Sequence, residues 1–233
     1  MSIAEKLTTI AENVDKVYDA GKKAEYDAFW DRFQGNQSSY AYAFSGRGWD
    51  DTTFRPKYNI VTSGSATNNM FCNSNIVDLD KILKEQNVTM DVSLSVRVDY
   101  MFYYCRLLEM VPEITFGASC GNISYMFNNC DKLKRIKGLI LPNKTLTATN
   151  VFNNCTSLEE ITIGGTIAFS MDIHWSTNLT ADSIKSIIEH LSDTSSGLTL
   201  TLPNTAESNY DAVYGSGAWS ALRATKSNWS IVT

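Results

Sequence analysis

Apolar positions along the chain fall into three kinds of spacing, and each predicts a different element. At the N-terminus Ile3, Leu7, Ile10, Val14 and Val17 follow at steps of 4, 3, 4 and 3. That is the narrow seam of a heptad helix rather than the broad stripe of a globular one. Ser2-x-x-Glu5 stands ahead of it as a capping box. Gly21 interrupts the seam. Such a seam can self-associate as a dimer or trimer, pack on its own domain, or dock onto a larger assembly. No matching apolar helix lies nearby to cover it, which favours self-association. Lys22 to Phe33 predicts a second helical stretch carrying Tyr26, Phe29, Trp30 and Phe33, closed by Gly35-Asn36.

Alternation is the second kind, and it predicts strands. It runs through Tyr40, Tyr42 and Phe44, through Val92, Leu94, Val96 and Val98, through Thr166 to Trp175, and through Leu198, Leu200 and Leu202 up to Pro203. Helical spacing returns at Asp78 to Lys84, with Ile82 and Leu83 inward. It returns again from a Thr180 cap to Leu191, with Ile184, Ile187, Ile188 and Leu191 inward. Residues 206–214 and Ala218 to Ala224 predict two more helices, and Trp229 to Val232 a last strand.

The third kind is a phrase that recurs at a fixed interval. Met101-Phe102-Tyr103-Tyr104-Cys105, Met126-Phe127-Asn128-Asn129-Cys130 and Val151-Phe152-Asn153-Asn154-Cys155 are spaced 25 residues apart. Leu108, Leu133 and Leu158 follow each Cys, then Val111, Ile136 and Ile161. Met70-Phe71-Cys72-Asn73-Ser74 is a worn earlier copy, with Ser74 in the Cys slot. A period in this range marks units too small to bury their own apolar face, which share one core by stacking.

The pattern (Met/Val)-Phe-x-x-Cys-x-x-Leu-x-x-(Ile/Val) resembles the BspA-like leucine-rich repeat, over about residues 60 to 233. The family's usual Ala-Phe pair stands here as Met-Phe or Val-Phe. The resemblance implies a bacterial surface protein, or a prophage-encoded tail or surface protein of Gram-positive gut bacteria. The expected fold is therefore α/β: a short leucine-rich-repeat solenoid of 25-residue repeats with a helical N-terminal stem and caps at both ends. Residues 1–35 would be the stem, 36–60 an N-terminal cap, and 61–233 the repeat domain with its C-terminal cap.

Composition narrows the function. The net charge is −5 and charged residues are 19% of the chain. No basic cluster is large enough to displace the counterions of a nucleic acid, so that partner is not expected. No apolar run is long enough to span a membrane, and Ser2 to Val17 lacks the apolar core of a signal peptide. Synthesis in the cytoplasm is expected from both observations, and the resemblance implies association with a virion. The five cysteines include no Cys-x-x-Cys pair. Reduced, buried thiols at Cys105, Cys130 and Cys155 are expected, and neither a disulfide framework nor zinc.

Catalytic constellations are not evident. The two histidines, His174 and His190, form no His-x-x-x-His pair, and no phosphate loop or nucleophile elbow occurs. Asp50-Asp51 and Asp78-x-Asp80 are expected to be solvated. No catalytic residue, cofactor or metal is assigned. The expectation is a non-enzymatic recognition protein whose repeat surface binds a host cell-surface protein or glycan, joined through residues 1–35 to a phage tail or similar assembly, as a homo-oligomer. The alternatives are a structural particle component without a receptor and a cell-wall glycan hydrolase. Asn128, Asn129, Asn153 and Asn154 fit tight-turn chemistry. Tyr103 and Tyr104 replace such a pair without that explanation, so they are the candidate ligand contacts, with Trp49 from a Gly/Asp-rich loop.

Overall fold

The structure is a computed structural model that describes residues 21–35, 37–62, 64 and 66–233. It comprises two compact units, Met1–Gly35 and Asn36–Thr233. The oligomerisation seam Ile3, Leu7, Ile10, Val14 and Val17, with its capping box, lies outside the described residues.

In the first unit residues 21–31 are helical (α1). Phe29 lies 5.3 Å from both Trp30 and Phe33, ring centre to ring centre. The Arg32 guanidinium covers the Phe29 ring at 4.7 Å. Gly35 follows at φ +76°, the left-handed backbone a glycine adopts at low cost.

The second unit holds eight short strands and four helices among its described residues. The strands are β1 (Ile60–Val61), β2 (Met90–Asp91), β3 (Met110–Thr115), β4 (Arg135–Ile140), β5 (Glu160–Gly164), β6 (Met171–Asp172), β7 (Leu198–Thr201) and β8 (Trp229–Val232). The helices are α2 (Leu79–Glu85), α3 (Ala181–Glu189), α4 (Ala206–Tyr214) and α5 (Ala218–Ala224). Every strand pair is parallel.

The leucine-rich-repeat solenoid expected from the sequence is corrected here. The strands form three separate small sheets, β1-β2, β3-β4-β5 and β6-β7-β8, in a mixed α/β unit. A single repeating sheet would need one interval throughout. The offset is 25 between Met110 and Arg135. It is 30 between Ile60 and Met90, and 31 between Leu198 and Trp229. The additional residues go into helices: α2 lies between β1 and β2, and α4 and α5 lie between β7 and β8.

Within the central sheet the recurring phrase forms a turn. The Phe71 amide donates to the Met101 carbonyl at 2.8 Å, Phe102 to Met126 at 2.9 Å, and Phe127 to Val151 at 3.0 Å. This register stacks the phenylalanines into a column. Phe71–Phe102, Phe102–Phe127 and Phe127–Phe152 have ring centres 5.3, 5.3 and 5.8 Å apart, and the planes are within 11° of parallel. All four rings are buried. The three cysteines beside them are free, buried and hydrogen-bonded. Cys105 Sγ donates to the Phe71 carbonyl at 2.9 Å, Cys130 to Phe102 at 3.0 Å, and Cys155 to Phe127 at 3.1 Å. The slot therefore wants a small side chain with a donor; in the worn copy Ser74 is buried there, with its hydroxyl 3.5 Å from Cys105 Sγ.

Three alternating stretches are not continuous strands. Residues 41–44 form a turn, and Tyr40 and Phe44 are buried while Tyr42 is exposed. Side chains four apart across that turn point the same way and the one between points out, so residues spaced by two do not share a face. Of residues 90–98 only β2 is extended. Val92 and Val98 are buried, Leu94 and Val96 are exposed, and the Ser95 amide turns back onto the Val92 carbonyl at 2.9 Å. Between Thr166 and Trp175 only β6 is extended, with a single parallel bridge from Ile167 to Leu191.

The helices follow their caps. Asp78 accepts from the Lys81 amide at 2.8 Å to start α2, and Thr180 accepts from the Ser183 amide at 3.3 Å to start α3. Ile184, Ile187, Ile188 and Leu191 are buried, as their spacing predicts. Trp219 and Trp229 are buried as well. Lys226, almost fully buried, donates to the Leu191 carbonyl at 2.7 Å and to Asp193 at 2.5 Å, pinning the loop after α3. Among the described residues no helix is long and apolar enough to cross a membrane.

Gly165, after β5, has φ +73°, and a Cβ there would lie 1.8 Å from the Leu141 carbonyl oxygen. Gly165→Ala is expected to cost about 2–5 kcal/mol, combining left-handed backbone with overpacking. Gly197 has nearly the same φ, +71°, with nothing within 4 Å. Gly197→Ala should lose only the backbone part, about 1–2 kcal/mol. Urea midpoints of the two variants check the difference.

Candidate functional site: a tyrosine edge

Each copy of the turn contains two residues in left-handed backbone. The first series is Tyr42, Asn69, Tyr100, Tyr125 and Asn150, at φ +58°, +57°, +58°, +58° and +50°. The second includes Asn73, Tyr104, Asn129 and Asn154, at +59° to +61°. Asparagine suits such positions because its side chain bonds nearby backbone. Tyrosine has no such compensation, and the conformation costs a bulky L-residue about 1–2 kcal/mol. The register between turns holds these residues in rows: the Tyr100 amide donates to the Ser124 carbonyl at 2.9 Å and Tyr125 to Thr149 at 2.8 Å.

The tyrosines converge. Tyr100 stacks on Tyr125 at 4.8 Å with planes 9° apart. Tyr103 meets Tyr100 edge-on at 5.2 Å and Tyr104 at 4.6 Å. The Arg106 guanidinium sits 5.0 Å from the Tyr104 ring centre, and Leu107 beside it is exposed. All four rings are half-buried, so each is held by neighbours and still offers a surface. Partial burial, and then the Tyr104 and Tyr100 phenols, push the Tyr103 phenol up from its ordinary value. It therefore stays a neutral donor.

Of the residues expected to contact ligand, Tyr103 and Tyr104 lie in this cluster. Trp49 packs edge-on against Phe44 and Phe54, at 6.2 and 5.8 Å, as part of the aromatic group of residues 44–54. Tyr100 and Tyr125 were not singled out by the pattern, although each directly precedes the Met of its phrase, 25 residues apart. The asparagines form their own ladder. Asn154 Nδ2 donates to Asn129 Oδ1 at 3.0 Å, and Asn129 Nδ2 donates to Asn128 Oδ1. That ladder consumes much of their hydrogen-bonding capacity internally.

The aspartates expected to be solvated hold backbone or bases instead. Asp50 Oδ1 accepts from the side chain and amide of Thr52 and from Thr53; led by the Thr52 hydroxyl, these bonds lower the Asp50 carboxyl to about 2. Asp51 accepts from the Val77 amide at 2.6 Å. Asp80 pairs with Lys84 at 2.9 Å and Lys137 at 2.5 Å. Among the described residues no three of His, Cys, Asp and Glu gather into a group that could hold a metal ion. Comparison with protein-family models, with curated proteins and with solved structures found no match.

Proposed function

We propose that the protein is a non-enzymatic recognition protein whose tyrosine edge docks onto a protein of a cell surface. The observation that carries this reading is the left-handed backbone of Tyr100, Tyr104 and Tyr125. Asparagine or glycine would spare the turn that strain. Strain retained at half-buried aromatic residues points to use of their rings. The composition of the edge agrees. Tyrosine and arginine beside an exposed leucine are the residues that dominate binding at protein–protein interfaces. Tyrosine also supplies rigid amphipathic contact area at low entropic cost. In this reading residues 1–35 join the chain to a phage tail or another assembly, the setting implied by the resemblance.

The test separates binding from stability. In Tyr100→Asn/Tyr104→Asn/Tyr125→Asn each turn receives the residue its backbone favours, so the urea midpoint is expected to stay level or rise. Fluorescently labelled full-length chain is applied to a panel of Gram-positive gut bacterial cells. Wild type is expected to stain at least one strain, the triple variant at least 10-fold less, and protease-treated cells not at all. Equal staining by the variant overturns the role of the edge. Staining that survives protease overturns a protein receptor. No staining of any strain by wild type overturns the recognition reading in favour of a particle component without a receptor.

A further inference from the structure

A second concave surface lies away from the tyrosines in sequence, beyond the C-terminal ends of β6, β7 and β8. Its cavity is about 610 Å³, and Asp172, His174, Trp175, Thr177, Thr201 and Asn204 are among the residues that line it. The mouth of a parallel sheet at its strand C-termini is a recurrent place for ligands, and this volume lies within the usual range for a small-molecule site. The polypeptide places these residues together only through the sheet. Asp172 ends β6, Thr201 ends β7, and the two are register partners.

The chemistry of the lining is specific. Trp175 is 44% exposed, high for a large apolar side chain with a cavity to pack into. The His174 ring stands 4.6 Å from the Trp175 ring, tilted by 38°. Asp172 Oδ1 accepts from the His174 backbone amide at 3.1 Å and lies 2.6 Å from His174 Nδ1. The carboxylate therefore fixes the imidazole, with Nδ1–H donating and Nε2 turned to other partners. Asn204 is exposed and adds an amide with both donor and acceptor atoms.

We infer that this cavity binds a neutral sugar residue, with Trp175 as the stacking platform and Asp172, His174 and Asn204 as hydroxyl partners. An indole face covers the C–H face of a pyranose, and the nitrogen and oxygen atoms beside it match hydroxyls that both donate and accept. The Asp172 carboxylate, with no lysine or arginine among the six residues named above, disfavours an anionic sugar. The site is independent of the tyrosine edge and stands or falls separately.

Saturation-transfer NMR and titration of the tryptophan fluorescence with methyl α- and β-pyranosides of glucose, galactose, mannose and N-acetylglucosamine test it. At least one is expected to bind saturably. Trp175→Ala is expected to weaken that binding at least 10-fold with an unchanged urea midpoint. The matching uronic acid is expected to bind at least 10-fold more weakly than the neutral sugar, and Asp172→Asn to narrow that gap. The tyrosine triple variant is expected to bind sugar as wild type does. No saturable response to any pyranoside, an unchanged Kd in Trp175→Ala, or equal affinity for the uronic acid overturns the assignment.

Discussion

Phe127→Ala is expected to remove about 3–5 kcal/mol from the unfolding free energy of Asn36–Thr233. Phe127 stands inside the column, with Phe102 on one side at 5.3 Å and Phe152 on the other at 5.8 Å, and it is fully buried. Truncation removes the transfer free energy of the ring and leaves a cavity between two rings that the backbone ladder holds apart. Collapse is blocked because the Phe102 and Phe127 amides are fixed by hydrogen bonds to the following turns, at Met126 and Val151. Domains of ordinary stability have about 5–15 kcal/mol in total, so the loss is a large share. Phe127→Leu should recover about half of it, since leucine refills part of the volume. Equilibrium urea denaturation followed by tryptophan fluorescence and circular dichroism measures both variants. A loss under about 1 kcal/mol for Phe127→Ala would mean that the column closes up and that the ring stack is not the core's main support.

Raising the pH above about 9 is expected to weaken the same unit steeply, and the buried thiols set the slope. Burial pushes Cys105 and Cys155 up to about 12, and Cys130 well above its ordinary value. In the unfolded chain these thiols ionise near about 8.5. Below that pH both states hold their protons and the thiols contribute nothing to the pH dependence. Above it the unfolded chain releases protons that the folded chain keeps, so the unfolded state binds fewer and stability falls as pH rises. Each thiol contributes about 1.4 kcal/mol per pH unit, and three together about 4 kcal/mol per unit, until the folded values are reached. Urea midpoints at pH 8, 9 and 10 trace the slope. Cys105→Ser/Cys130→Ser/Cys155→Ser retains a donor for the Phe71, Phe102 and Phe127 carbonyls but cannot ionise. Its curve should be flatter by the same amount. Parallel curves for wild type and variant would remove the thiols as the cause.

The elements most legible in the sequence are those decided by contacts close in the chain. Asp78 and Thr180 announce α2 and α3 because a cap acts within three residues. The recurring Phe and Cys positions are likewise legible, since one register repeats them at 25 residues. The division into three sheets is not. It depends on how many residues each connection holds, and the change from an offset of 25 to 30 or 31 becomes visible only when strands pair. Alternation also misleads at Tyr42, Leu94 and Val96, because a turn exposes isolated apolar residues as readily as a strand does. At the site, Tyr103 and Tyr104 stand out as departures from an asparagine pair. Tyr100 and Tyr125 do not, because a positive φ at tyrosine leaves no mark in composition. The Trp175 cavity needs the ends of β6 and β7 side by side, residues 29 positions apart at Asp172 and Thr201.

The parallel pairing has a consequence for synthesis. Strand partners in Asn36–Thr233 are separated by 24 to 31 positions, and none joins the two ends of the unit. Closing these loops therefore costs nearly the same entropy each time, differing by only about 0.2 kcal/mol. Within each sheet, every strand after the first finds its earlier partner as soon as roughly 24 to 31 further residues have left the ribosome, at the usual 5–20 residues per second. The newborn chain can thus complete each small sheet from strands that follow one another in the chain before the next sheet begins.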